Sequence, residues 1–300
     1  MDNNTDRISK WVSTCFENKN HREEITMDIS TAITLNNLVS IPQFGLGVFK
    51  SAAGDETYNA VRWALEAGYR HLDTAKIYAN EADVGRAVRD SGISREKIFI
   101  TTKLWNQDMR EDRQEQAFHE SLKLLGLDYV DLYLIHWPVA GKYVESWVKM
   151  EKFYQDGLIR AIGISNFNPH HIDTLLEAAV ITPALNQIEL HPLLIQTDVT
   201  NYCLEKGIAV SAWSPLGRGR LLDHPTLLDI AAHYQRTAAQ IILRWHLQKG
   251  RIVIPKSIHK DRIISNADLY TFELTAQDIS AIDALNQNQR FGSDPETFTY

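Results

Sequence analysis

Eight short apolar runs recur along the chain: Phe44–Phe49, Tyr69–Asp73, Ile98–Lys103, Val130–His136, Ile159–Ser165, Ala184–Leu190, Ile208–Ser214 and Arg251–Lys256. Between them lie stretches with helical periodicity. Glu56–Ala67 puts Val61, Ala64 and Leu65 on one face, and Arg113–Leu125 does the same with Ala117, Leu122 and Leu125. Ile172–Ala179 and Thr237–Gln248 follow suit, the latter through Ile241, Ile242 and Trp245. Alternation of the two patterns predicts parallel strands joined by crossover helices. Strands covered on both faces lose their polar alternation and read as nearly continuous apolar segments, as most of these do. Eight such strands close a barrel, whereas an open doubly wound sheet uses fewer and begins with a glycine-rich turn. The pattern therefore predicts an α/β chain folded as a (β/α)8 TIM barrel. Ile33–Leu35 and Leu38–Ile41 flank Asn36-Asn37 and predict an N-terminal β-hairpin closing the barrel bottom.

Residues 1–26 depart from this pattern. They are rich in Asn, Asp, Glu, Lys and Arg, with Ile8, Trp11, Val12, Phe16 and Ile25 as scattered apolar positions. This segment is expected to be a polar, disordered extension, with Met27 an alternative translation start and 27–300 a single barrel domain. It lacks the apolar core of a secretory signal, and its acidic residues argue against a transit peptide. No linker or low-complexity run interrupts residues 30–290.

Charge and cysteine content narrow the classes further. With 31 Lys+Arg against 38 Asp+Glu, the chain carries a net charge of −7 and no bulk basic field for nucleic acid. Two cysteines exclude a disulfide scaffold, and no apolar run is long enough to span a bilayer. A cytoplasmic, monomeric enzyme with neither membrane nor nucleic-acid partners is expected. Gly45-Leu46-Gly47 begins a dinucleotide fingerprint, but Lys50 stands where its third glycine belongs. Gly163-Ile164-Ser165 begins a nucleophile elbow, but Phe167 occupies the closing position. There is no phosphate-binding Walker loop and no zinc-protease helix, and adjacent His170 and His171 are not expected to face one metal from a helix; no metal site is expected.

In a barrel of this kind chemistry gathers where strands end at the C-terminal face. The second run ends in Asp73, the third in Lys103 and the fourth in His136, with Tyr78 just downstream of the second. Singly, each has a structural explanation: a helix cap, a rim ion pair, a satisfied core histidine. Together they deliver an acid, an ammonium, an imidazole and a phenol to one rim. A phenol titrates near pH ~10, and a lysine beside it favours the phenolate, making it a better acid. A carboxylate would hold that lysine charged, and the histidine would orient a carbonyl oxygen. Such a set suits protonation of a developing alkoxide, as carbonyl reduction requires. Side chains supply no hydride, so a nicotinamide cofactor is implied. Ser165 leaves a nucleophile–base pair open by position, without a glycine elbow to expose it.

Longer motifs carry a resemblance. Gly68-Tyr-Arg-His-Leu-Asp-Thr-Ala75 with Tyr78, Thr101-Thr-Lys-Leu-Trp105 and Leu134-Ile-His-Trp-Pro138 resemble the aldo-keto reductase family. So do Ile162-Gly-Ile-Ser-Asn-Phe167, Asn186-Gln-Ile-Glu-Leu-His-Pro192 and Ile254-Pro-Lys-Ser257. Among its members, the bacterial 2,5-diketogluconate and glyoxal/methylglyoxal reductases look most similar. The resemblance implies NADPH/NADP+ as cofactor and a tetrad in which Tyr78 donates the proton, Lys103 and Asp73 tune it and His136 positions the carbonyl. It further implies that Ser165, Asn166 and Gln187 hold the nicotinamide carboxamide, with Trp213 stacked on the ring. Ser214, Leu216 and Gly217 would lie along the pyrophosphate, Lys256, Ser257 and Arg262 at the 2′-phosphate, and Asn266 at the adenine. Many members place Glu before that asparagine, where this chain has Ser265, so adenine anchoring is expected to be weaker.

Phe49, Trp105 and Trp137, with His136, are expected to line a carbonyl pocket. The loop from His136 to Trp147 is short, which favours small aldehydes, dicarbonyls and keto-sugars over steroids. Gln289–Tyr300, with Arg290, Phe291 and Phe298, is a candidate cover for the mouth. Two other classes are weighed: a nicotinamide-sensing regulatory subunit, which needs a partner-binding extension, and a barrel hydrolase or isomerase, which lacks its nucleophile elbow and metal set here.

Overall fold

The structure, a computed structural model, describes residues 27–299. The expectation for residues 1–26 lies outside the described residues. An antiparallel hairpin comes first, β1 (Ala32–Thr34) pairing β2 (Ser40–Pro42) with Ile33 opposite Ile41. Its turn differs in detail from the expected Asn-Asn geometry, because the left-handed residue is Leu38, at φ 68°. The two asparagines serve instead as anchors, Asn36 Nδ2 donating to Pro183 O and Asn37 Nδ2 to Arg160 O, each at 2.9 Å. Leu35 and Ile41 sink into a cluster with Phe99, Leu132, Ala161, Leu185 and Ile252. The hairpin thus plugs the end of the barrel where the strands begin.

Eight parallel strands follow: β3 (Leu46–Gly47), β4 (His71–Asp73), β5 (Phe99–Leu104), β6 (Val130–Ile135), β7 (Ile159–Ser165), β8 (Leu185–Glu189), β9 (Ala209–Trp213) and β10 (Ile252–Val253). Each pairs with its sequence neighbours. The ring closes where Phe44 bridges Val253 and Gly47 bridges Lys256, with Gly45 N donating to Val253 O at 2.9 Å. Seven of the eight predicted runs contain their strands whole, and β5 extends one residue past the predicted Ile98–Lys103, to Leu104. The first and last shrink to two residues each, because they pair across the closing seam through isolated bridges.

Crossover helices cover the outside: α1 (Asp55–Glu66), α2 (Glu81–Asp90), α3 (Asn106–Arg110), α4 (Gln114–Leu125), α5 (Tyr143–Gln155), α6 (Pro169–Leu176), α7 (Thr197–Glu205), α8 (Pro225–Tyr234), α9 (Ala238–Gln248), α10 (Lys260–Ala267) and α11 (Ala276–Asp283). The predicted faces are the buried ones, Val61, Ala64 and Leu65 in α1 and Ile241, Ile242 and Trp245 in α9. Helix α6 starts earlier than its periodicity indicates. Pro169 supplies the preset φ of a first helical residue, and Asn168 N–H donates to His171 Nδ1 at 3.1 Å. The segment after His136 is shorter than expected, since α5 already begins at Tyr143 and Trp147 is fully buried within it. No described helix is long and apolar enough to cross a membrane.

Candidate active site

Strand ends build one rim. Asp73 closes β4 opposite Thr101, and Lys103, two residues further along β5, stands just beyond it on the same face of that strand as Thr101. Lys103 Nζ donates to Asp73 Oδ1 at 2.6 Å and to Thr74 O at 2.8 Å. Asp73 Oδ2 accepts from Gln187 Nε2 at 2.8 Å, and all three side chains are buried. A single helical turn, Lys76–Tyr78, returns Tyr78 over this network, its ring centre 5.1 Å from Lys103 Nζ. Phe49 lies against one side of the phenol at 5.0 Å between centroids, and His136 meets it edge-on at 5.8 Å. Trp105 in turn meets His136 edge-on at 5.2 Å.

Burial governs the titration of these groups. It pushes the Tyr78 phenol well above its ordinary value, and the nearby Asp73 carboxylate adds to the rise. It draws the Lys103 ammonium down, with Asp73 opposing. Burial and then the Lys103 charge hold His136 well below its usual range, so the imidazole is neutral at pH 7. The expected lowering of the phenol by Lys103 has no counterpart in the protein alone: burial and then Asp73 both raise it, and Tyr78 keeps its proton.

Beside this group the ends of β7, β8 and β9 converge. Asn166 is left-handed at φ 66° and spends both amide hydrogens locally, on His136 O at 2.9 Å and Ser165 Oγ at 3.0 Å. Its Oδ1 accepts from Trp213 Nε1 at 2.9 Å. Ser165 Oγ donates to Gln187 O at 2.8 Å. Gln187 has committed its amide nitrogen to Asp73 and keeps Oε1 as an open acceptor on the cavity it lines.

A cavity of about 970 Å3 runs from these groups along the rim, at the upper end of ordinary ligand pockets. Its walls include Phe49, Asp73, Tyr78, Trp105, His136, Trp137, Ser165, Asn166, Gln187 and Trp213, and, further on, Ser214, Leu216, Lys256, Ser257, Arg262 and Asn266. Two expected residues stand behind the wall. Lys103 is wholly buried against Asp73 and the Tyr78 ring, and buried Gly217 (φ 56°) packs beneath Leu221 and Phe291. The cationic end coincides with the start of α10, where His259 makes no side-chain cap and the first amides stay open. Lys260 points elsewhere, toward Glu66 at 3.9 Å.

The C-terminal candidate cover lies over the rim. Ser293 and Phe298 line the cavity, Phe298 packs on Trp137 at 4.1 Å between rings, and Arg110 Nη2 donates to Thr299 O at 2.7 Å. Aromatic content was the one available signal for this. The same segment corrects a second expectation. His170 and His171 converge with Glu296, their ligand atoms lying within 4.8 Å of one another. However, His171 Nδ1 accepts the cap hydrogen bond, which puts the neutral ring's proton on Nε2 and leaves no lone pair for a cation.

Comparison with known proteins agrees with this architecture. The model of the Aldo/keto reductase family matches residues 43–287. The Bacillus subtilis protein named uncharacterized oxidoreductase YtbE is 52% identical over 280 residues, covering 92% of this chain and 100% of its own. Glyoxal reductase of the same organism is 48% identical, covering 91% and 99%. Among solved structures, the Bombyx mori aldo-keto reductase in complex with NADP superposes with a TM-score of 0.84 at 41% identity, covering 90% and 97%. With strand order, rim chemistry and this breadth of similarity in agreement, the chain belongs to the aldo/keto reductase family.

Proposed function

We propose that the protein is an NADPH-dependent reductase of small aldehydes, dicarbonyls and keto-sugars, with Tyr78 as proton donor. The observation that carries this reading is the buried Gln187–Asp73–Lys103 chain ending at Tyr78 and neutral His136, at one end of a cavity whose other end is cationic. The residues present fit the cofactor. The open acceptor Gln187 Oε1 and the second lone pair of Asn166 Oδ1, whose first takes the Trp213 N–H, suit the N–H groups of a carboxamide, and the Trp213 indole offers a flat wall for a planar ring. Ser214 and Leu216 line the passage between, with Gly217 shaping it from below. Lys256, Ser257, Arg262 and Asn266 would receive the adenosine 2′-phosphate and its base.

Bound there, NADPH supplies a hydride to the carbonyl carbon. The chain's own work is at the oxygen. Tyr78 gives its proton as charge develops on that oxygen, yielding the alcohol, and Lys103 stabilises the phenolate left behind. Asp73 holds Lys103 in place and charged, and neutral His136 orients the carbonyl without competing for the proton. Phe49, Trp105 and Trp137 enclose the substrate, and the short segment after His136 leaves room for compact polar carbonyls. The relative that reduces glyoxal supports this class.

Following NADPH absorbance against glyoxal, methylglyoxal, 2,5-diketo-D-gluconate and a bulky ketone tests the reading. Oxidation is expected with the small substrates and little with the bulky one. Tight NADPH binding without turnover of any carbonyl would instead point to a sensing role, and failure to bind NADPH would overturn the proposal.

A further inference from the structure

Glu189 is a fully buried carboxylate that the proposed reaction does not use. It ends β8, two residues beyond Gln187, and its charge is met entirely from two sources. One is His191, whose Nε2–H donates to Oε1 at 3.2 Å. The other is the C-terminal segment: Phe291 N–H donates to Oε1 at 2.8 Å, and Gly292 N–H reaches Oε1 and Oε2 at 3.1 and 3.0 Å. Four such contacts on one buried charge make a rigid clamp. Phe291 is additionally stacked on His191, with ring centroids 4.8 Å apart, under the Arg220 guanidinium.

What the clamp holds is informative. Gly292 sits so close to Trp213 that a Cβ there would lie 2.3 Å from Cη2 and 3.0 Å from Cζ3 of the indole. The backbone of residue 292 is therefore the backstop of the six-membered ring, while Asn166 Oδ1 holds the indole N–H at the opposite end. The ring is fixed at both ends, and only one of those ends belongs to the barrel rim.

We propose that Glu189 is a positioning residue for the cofactor. By clamping the amides of Phe291 and Gly292 it sets the plane of Trp213, and thereby the flat wall against which the nicotinamide ring lies. This rests on the reading that Trp213 faces the nicotinamide. A consequence is that the C-terminal segment contributes to holding the cofactor as well as covering the substrate.

Two substitutions in the full-length protein separate this role from a general packing role. Glu189→Gln keeps the shape but removes the charge and, with its oxygen left on Phe291 N–H, turns an NH2 toward the Gly292 amide. Gly292→Ala retains the carboxylate's charge but drives a methyl into the indole and to 3.1 Å from Glu189 Oε2. Both are expected to raise the NADPH Kd, measured by fluorescence titration, roughly tenfold, the low end for a charge-assisted hydrogen bond. In a Trp213→Ala background, Glu189→Gln is expected to add no further loss, since the wall it aligns is gone. Wild-type affinity in both single variants overturns the inference, as does an undiminished Glu189→Gln effect without Trp213. If Glu189→Gln does not fold, Gly292→Ala alone decides. Wild-type protein that fails to bind NADPH would sink the reductase reading itself, whereas normal binding by wild type and variants alike sinks only this one.

Discussion

At the scale of single residues, the proposed reaction divides the rim into groups that touch substrate and groups that act through others. Tyr78→Phe removes a hydroxyl needed only as charge develops on oxygen, so NADPH affinity should stay near wild type while kcat falls by about 10²–10⁴-fold. A variant keeping more than about a tenth of wild-type kcat would remove Tyr78 from the donor role. Arg262, exposed at the cationic end of the cavity, is expected to read the 2′-phosphate by a forked contact that an ammonium cannot make. Arg262→Ala should then weaken NADPH by about 10- to 150-fold and leave NADH nearly unchanged. Equal losses for both cofactors in parallel titrations would make the arginine structural. Asp73, Lys103 and His136 were legible in the sequence because each stands at the end of an apolar run, where an ionisable side chain has no structural reason to recur from strand to strand. Glu189 stands at such an end too. Beyond neighbouring His191, its partners are backbone amides more than a hundred residues away in a segment without periodicity, and nothing local announces them.

Elements were readable where burial imposes a period and less so where a contact is made by backbone. The eight strands and the faces of α1, α4 and α9 follow from apolar spacing alone. The start of α6 was carried by Asn168 and Pro169, cap signals that apolar spacing passes over. The packing of α2 on α4 was invisible, because it depends on a side chain that is missing. A Cβ on Gly85 would lie 1.9 Å from the carbonyl oxygen of Leu125, which also accepts from Arg89 Nη1 at 2.7 Å. Gly85→Ala must push the two helices apart, and its better helix propensity, about 1 kcal/mol, does not offset a backbone clash. Thermal unfolding of this variant should fall by roughly 5–10 °C, as a loss of about 2–3 kcal/mol implies in a chain this long. An unchanged or higher Tm would show that the helices yield freely there.

For the molecule as a whole, buried histidines set the acid limit. Burial lowers His71 to about 4 and holds His136 and His246 well below their usual range. Unfolded, each takes up a proton near pH ~6.5. Stability is therefore complete above that value and declines as pH falls, by up to about 1.4 kcal/mol per pH unit for each histidine, the His71 share levelling off near its folded value. Tm should begin to drop below about pH 6.5, ahead of carboxylate titration; a flat profile from about pH 8 to 5 would contradict this. Removing residues 1–26 is expected to leave turnover and Tm unchanged, since the family match begins at residue 43 and the seam closes without them. A fall of several degrees in the shortened protein would show that the extension contributes to stability.

The seam that joins Phe44 to Val253 carries a consequence for how the protein is made. Its two sides are separated by most of the chain, so the closing contacts are among the most non-local in the molecule. During synthesis the strands emerge in their final spatial order, each finding its neighbour already waiting, but the ring stays an open sheet until β10 leaves the ribosome. Throughout that time the Phe44–Gly47 edge offers unpaired amides and carbonyls to any passing strand. A ribosome stalled, or a message truncated, shortly before residue 252 would therefore release an almost complete sheet with two sticky margins, and such fragments should be found with chaperones or in aggregates rather than as a partly active enzyme.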